Sequence, residues 1–352
     1  MDLTKIRQGK IIRSKDPLNL EMPFETLDSF ITPTESFYVR THFPIPKVEK
    51  NGWRLQVQGE VDRPFKISYN ELIALESRKV PVTLECAGNN RNFLEPKVKG
   101  VQWGLGAAGN AEWTGVPLLI LLERAGVKAS AREVVLEGAD QGRVDDPKAP
   151  AGELKFARSI PLEKARQDVL LAYQMNDADL PPEHGFPVRA MVPGWYAMAS
   201  VKWLTRIIVI DRPFNGYYQT LDYAFWSNNE LVPLREMQVK AQIARPVTGE
   251  MIPANSTYRI HGAAWTSGGE VTTVEISTNG GSTWSNATLV GESNPNAWRL
   301  WEFAWRTPAK PGKATLIARA GDSRGLTQPT EHDPNRGTYM INHVLPITVE
   351  VQ

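Results

Sequence analysis

The chain has 352 residues, with 40 Lys and Arg against 39 Asp and Glu, so its net charge is +1. Hydrophobic residues make up 41%, which supports packed cores rather than disorder, and the length exceeds what one core usually fills. The balanced charge argues against nucleic-acid binding, which draws its affinity from excess Lys and Arg, and the single cysteine, Cys86, excludes an intrachain disulfide.

The N-terminus carries no apolar leader, and no stretch reaches the roughly 20 apolar residues of a membrane span. The chain as written therefore reads as non-membrane and cytoplasmic, or periplasmic if a signal peptide has been removed. Residues 1 to about 50 are rich in Pro and charge, and 1–30 read as an irregular arm. Alternation at Trp53, Leu55 and Val57 predicts a half-buried strand. Ser68 and Glu71 have the spacing of a capping box ahead of a short helix over 72–75. Val80–Glu85 predicts a strand that ends at Cys86. Val116–Gly126 predicts a helix, with Pro117 in its first turn and Gly126 at its end. Further strands are predicted at Val134–Glu137, Val169–Tyr173, Val188–Val192 and Lys202–Ile210. Helices and strands mix without a regular period, which points to an α+β first domain over 1–235.

After about Ile210 an aromatic, Asn-rich stretch, Tyr217 to Asn229, leads into Val239–Ile243. Beyond Pro246 short alternating runs follow: Tyr258–His261, Val271–Ser277, Trp298–Trp305 and Thr315–Ala320. Asn279-Gly280 between two such runs is a hairpin signal. This pattern predicts an all-β, Ig-like sandwich over 236–352. Trp298, Trp301 and Trp305 read as core or interface of that unit.

Gly104-x-Gly106-x-x-Gly109 matches the dinucleotide-binding fingerprint. That mechanism needs a helix opening on the glycines, and Gly115 and Pro117 interrupt any such helix, so the segment reads as a flexible Gly/Ala loop. An NAD-dependent dehydrogenase stays a remote alternative, as does a non-catalytic β-sandwich protein.

Cys86 admits several readings. A free cysteine is commonly a small buried hydrophobe. A nucleophile needs a His partner, and His42, His184, His261, His332 and His343 are all distant in sequence. Zinc has no Cys-x-x-Cys or His-x-x-x-His support. The remaining reading is one thiolate on a metal whose other ligands come with a cofactor. The strand-end position and Arg91, five residues on, favour a functional thiolate.

Thr83-Leu-Glu-Cys86-Ala-Gly-Asn-Asn-Arg91 resembles the sulfite oxidase family of molybdenum enzymes. So do Phe37-Tyr-Val-Arg40-Thr-His42, Trp113-Thr-Gly-Val-Pro117, Leu170–Asn176, Leu180–Arg189, Val192–Gly194 and Val201–Leu204. Glu275–Trp284 resembles the family's Ig-like dimerisation domain, and the likeness covers roughly 30 to 350 in order. The fold implied is a mixed sulfite-oxidase-type molybdopterin domain followed by that sandwich. The cofactor implied is molybdenum with one pyranopterin dithiolene, without haem, because the chain has neither room for a haem domain nor a Cys-x-x-Cys-His site.

The resemblance implies the following roles. Cys86 ligates molybdenum. Arg40 and Arg91 face the substrate, with Tyr173 beside the metal. His42, Asp140, His184, Arg189 and Lys202 hold the pterin and its phosphate, and Trp103 lines the pocket. Arg299 is the candidate for an arginine reaching in from the C-terminal domain. The family often places a second Arg where this chain has Asn90, which predicts a weaker positive potential. The implied reaction is two-electron oxidation of sulfite, a small oxyanion that matches the Arg fork. Electrons would leave to a c-type cytochrome or oxygen, and the chain would form a homodimer. Reduction of a sulfoxide or another oxyanion is the alternative within the same cofactor class.

Overall fold

The computed structural model describes residues 9–352. Strand accounts for 41% of the chain and helix for 11%, so the expected α+β part is strand-dominated, with helices of one or two turns. The irregular arm needs correcting over its described residues. Ile11–Lys15, Leu18–Glu21 and Val39–Arg40 form an antiparallel three-stranded sheet. Leu18, Leu20 and Val39 bury a small core of their own, and that core, not local propensity, orders the segment.

Two five-stranded sheets follow. One runs Phe65–Ser68, Arg54–Gly59, Leu204–Ile210, Glu133–Gly142, Leu154–Pro161. In it Leu204–Ile210 pairs parallel with Arg54–Gly59, so the end of this part of the chain returns beside its beginning. The other places Ala108–Pro117 between Arg78–Glu85 and Leu170–Met175, whose far edge carries Ala178–Asp179 and Arg189–Met191. No strand is predicted at Ala108–Pro117, whose first residues belong to the expected Gly/Ala loop and whose last two to the expected helix. The strand is central and nearly all buried, so it shows no polar–apolar alternation. Its preceding glycines do not form a phosphate loop: the amides of Gly104 and Gly106 donate to the Glu21 carboxylate at 3.0 and 2.8 Å.

Local signals hold where they were strongest. The helix Tyr69–Ile73 closes a capping box in both directions, with Glu71 N–H on Ser68 Oγ at 3.3 Å and Ser68 N–H on the Glu71 carboxylate at 2.8 Å. The helix Leu118–Ala125 starts after Pro117 and stops at Gly126, whose φ of 69° is left-handed.

The C-terminal part forms two sheets. The first has the order Lys240–Arg245, Thr257–Trp265, Arg299–Arg306, Thr288–Val290. The second has the order Met251–Ile252, Ile347–Val351, Gly312–Asp322, Val271–Ser277, Ser285–Asn286. Both contribute to one core that includes Ile260, Trp301, Trp305, Leu316 and Val349. Trp298 belongs instead to the larger N-terminal core, with its indole N–H on Phe30 O at 2.9 Å and its amide on Thr83 Oγ1 at 2.7 Å. The two parts are thus joined through buried contacts beside the Cys86 strand. No helix among the described residues is long and apolar enough to cross a membrane.

Candidate active site

Cys86 follows the last residue of the strand Arg78–Glu85, where its amide still bonds Ala107 O at 2.9 Å. It is buried and opens onto two adjoining chambers that share Arg40, His42, Cys86 and Tyr223. The inner chamber adds Tyr38, Asp140, His184, Arg189, Lys202 and Trp203. The outer chamber adds Arg91, Lys99, Asp146, Asp222, Thr338 and Tyr339. The fold therefore gathers Arg40, His42, Cys86, Arg91, Asp140, His184, Arg189 and Lys202 from the sequence-derived set.

The inner chamber is rich in buried charge. Arg189 donates to His184 O and Ser200 O, each at 3.0 Å, and lies over the Trp113 ring. Lys202 Nζ donates to Arg40 O and Glu183 O, each at 2.9 Å. Burial lowers the Lys202 ammonium and raises the Asp140 carboxyl. Burial, with nearby cations, holds His42 and His184 well below the usual histidine value, so both are neutral. His42 stacks on Phe156, and its Nε2 is 2.7 Å from the Tyr223 hydroxyl. Burial pushes the Cys86 thiol up, while Arg40 and Arg91 pull it back towards the thiolate.

Three buried polar atoms of this lining have no protein partner: Asp140 Oδ1, His184 Nε2 and Arg189 Nε. Buried polar atoms are normally paired, so this lining is complementary to a polar guest with donors, acceptors and negative charge. Among the described residues, no group of three or more His, Cys, Asp or Glu side chains is placed to hold a metal alone. A metal at Cys86 would therefore need ligands besides the described His, Cys, Asp and Glu side chains. A pterin dithiolene with a phosphate fits both facts: it would supply sulfur to the metal, and Arg189 and Lys202 would hold its anion.

Three expected site residues lie elsewhere. Tyr173 lines neither chamber; it packs edge-on to Tyr69 with ring centroids 6.5 Å apart. The pairing of its strand with Ala108–Pro117 slips between Ala172 and Gln174, so Tyr173 is the extra residue of a bulge and is re-aimed. Trp103 is fully buried behind Tyr38, which it meets edge-on, and does not line the chambers. Arg299 starts a C-terminal strand opposite Ala264 and also lines neither chamber. Asn90 needs a different correction. Its backbone is left-handed, φ 74°, and its buried side chain turns away from the chambers to accept from Lys240 Nζ at 2.8 Å. Asn90 lines neither chamber.

Tyr223 is the tyrosine beside Cys86 that sequence reading missed. Arg158, fully buried, lies behind it and donates to Tyr218 O and Leu234 O. The signal was the run Tyr217-Tyr218 and Tyr223 in the aromatic, Asn-rich stretch Tyr217 to Asn229.

Comparison with known proteins agrees with this geometry. Residues 42–218 match the family described as oxidoreductase molybdopterin binding domain, and 232–351 match the Mo-co oxidoreductase dimerisation domain. Mitochondrial sulfite oxidase of Mus musculus is 36% identical over 90% of this chain, and sulfite oxidase of Gallus gallus is 34% identical over 93%. The chain spans 61% of the mouse protein's length and 74% of the chicken protein's. The solved sulfane dehydrogenase SoxCD from Paracoccus pantotrophus aligns with a TM-score of 0.82 and 27% identity, covering 95% of this chain and 85% of that one. The chain belongs to the sulfite oxidase family of molybdopterin-binding oxidoreductases.

Proposed function

We propose that this protein oxidises sulfite to sulfate with a molybdenum cofactor held by Cys86. One observation carries the reading: a lone thiol, two arginines and a tyrosine face one cleft beside a lining with unpaired polar atoms. Cys86 supplies the thiolate ligand, and His42, Asp140, His184, Arg189 and Lys202 hold the pterin and its phosphate. When bound, the cofactor supplies oxygen-atom transfer and the capacity to accept two electrons. Arg40 and Arg91 present fixed cations to an oxyanion, in a cleft where water screens them little. Tyr223, whose hydroxyl both donates and accepts, meets the substrate oxygen and passes a proton towards His42. The balance is sulfite plus water giving sulfate, two protons and two electrons, the electrons leaving one at a time to a c-type cytochrome or oxygen.

The domain boundary is placed near 235, and the C-terminal pair of sheets is read as an Ig-like sandwich through which the chain forms a homodimer. The shared two-sheet core and the matched dimerisation domain support this, and sedimentation tests it. For the activity, metal analysis is paired with sulfite-dependent reduction of cytochrome c or ferricyanide. Molybdenum near one per chain, absent in Cys86→Ser, together with sulfite turnover, is the expected result. Protein made in a cofactor-competent host without molybdenum refutes the reading. Turnover of a sulfoxide with a reductant, and none of sulfite, reverses the assigned direction.

A further inference from the structure

The C-terminal part does reach the site, but not through the arginine expected of it. The segment Thr338–Met340 crosses the Cys86 loop. Thr338 O accepts from Arg91 Nε at 3.1 Å, and the Met340 amide donates to Ala87 O at 2.9 Å, one residue past Cys86. Between them the Tyr339 ring lies against the Arg91 guanidinium, 5.1 Å from carbon to ring centroid. The Tyr339 hydroxyl donates to Asp222 at 2.7 Å. The crossing is anchored further on, where Arg336 donates to Asn342 Oδ1 at 2.9 Å and Asn342 Nδ2 donates to Val239 O at 3.1 Å.

Arg91 is held on every side but one. Val101 O takes Nη1 at 2.9 Å and Thr338 O takes Nε. A Cβ at Gly88 would lie 2.3 Å from Nη2, and one at Gly100 2.7 Å from Nη1, so the fork slots between two glycines. Of its five donors, those of Nη2 have no acceptor among the described residues. Asp222, beside Tyr223, opposes an anion here, as do Asp145 and Asp146 in the same lining; it is the one that the Thr338–Met340 strap touches. No cation pairs with Asp222 among the described salt bridges, and the Tyr339 hydroxyl is its hydrogen-bond donor.

We propose that Tyr339 is a positioning and specificity residue of this site. Its ring, with the Thr338 carbonyl, fixes the Arg91 fork so that Nη2 faces an oxyanion, and its hydroxyl caps Asp222 so that this carboxylate does not repel the same anion. The inference rests on the oxyanion reading above and deepens it.

The test compares Tyr339→Leu, Tyr339→Phe, Asp222→Asn and the double variant Tyr339→Phe/Asp222→Asn in the cofactor-loaded enzyme. The readouts are kcat and KM for sulfite, and the dissociation constant of sulfate by isothermal titration. Tyr339→Leu raises KM and the sulfate dissociation constant about tenfold, with kcat within about threefold of the parent. Tyr339→Phe keeps the ring and raises both by about threefold to fivefold, the loss of one hydrogen bond to a charged group. Adding Asp222→Asn to it removes the uncapped charge and returns both to within about twofold of the parent. A Tyr339→Phe effect that Asp222→Asn does not relieve, or a Tyr339→Leu enzyme with falling kcat and unchanged KM, overturns the proposal. A parent enzyme that does not oxidise sulfite overturns the functional reading instead, and the sulfate titrations still decide the strap. A parent that binds no sulfate overturns the strap's role in anion binding.

Discussion

Lys240→Met tests the joint between the two halves of the molecule. Lys240 begins the C-terminal sheet, yet its ammonium lies 2.6 Å from Glu85, the residue before Cys86, and 2.8 Å from Asn90 Oδ1. The two side chains are 2% and 1% exposed, so water screens neither. Glu85 also accepts from Trp265 Nε1 at 2.9 Å and from Asn89 Nδ2 at 3.1 Å. Methionine matches the length of the lysine stem, so the change removes the charge and leaves little cavity. It strands the Glu85 carboxylate in the interior with two neutral donors and leaves Asn90 Oδ1 unpaired. Breaking a buried pair from one side costs about 3–5 kcal/mol, and the two remaining donors place the expected loss near 3. Urea unfolding followed by tryptophan fluorescence, at fixed protein concentration, reads it. The double variant Glu85→Gln/Lys240→Met removes both charges and recovers to within about 2 kcal/mol of the parent. A Lys240→Met loss under about 1 kcal/mol, the size of an exposed ion pair, refutes the reasoning.

Two further outcomes follow from the same geometry. Gly88→Ala places a methyl against the Arg91 guanidinium, so KM for sulfite rises about tenfold as it would in Arg91→Gln; an unchanged KM means Arg91 does not bind substrate from this slot. His184, buried and neutral, has a folded-state value far below 6.5. Below about 6.5 the unfolded chain takes up a proton that the native fold refuses, so the stability this residue contributes is complete above that pH and is lost as pH falls. Unfolding free energies from urea titrations of the parent should therefore drop more steeply than those of His184→Gln between about pH 6.5 and 5, by up to about 1.4 kcal/mol per pH unit; parallel profiles count against a buried neutral His184.

Certain features follow from the sequence alone because they are local. The capping box at Ser68 and Glu71, the Pro117–Gly126 helix limits and the Asn279-Gly280 turn each depend on backbone chemistry within a few residues. Cys86 at a strand end, with Arg91 in the following turn, is local in the same sense. The irregular arm and the Gly-rich strand Ala108–Pro117 were not legible, because burial between partners orders them and no local pattern does.

Side-chain direction was decided only in three dimensions. A one-residue bulge turned Tyr173 towards Tyr69 and left the place beside Cys86 to Tyr223, some fifty positions later. A left-handed backbone turned Asn90 to Lys240, 150 residues away, and away from the two chambers. Arg91 meets its clamp across 247 residues, at Thr338 and Tyr339 rather than Arg299. The sequence by itself determined which residue types carry the chemistry, because thiolate, guanidinium and imidazole bring their reactivity with them. The tertiary structure decided which of them face one another, because that depends on register and on contacts between distant segments.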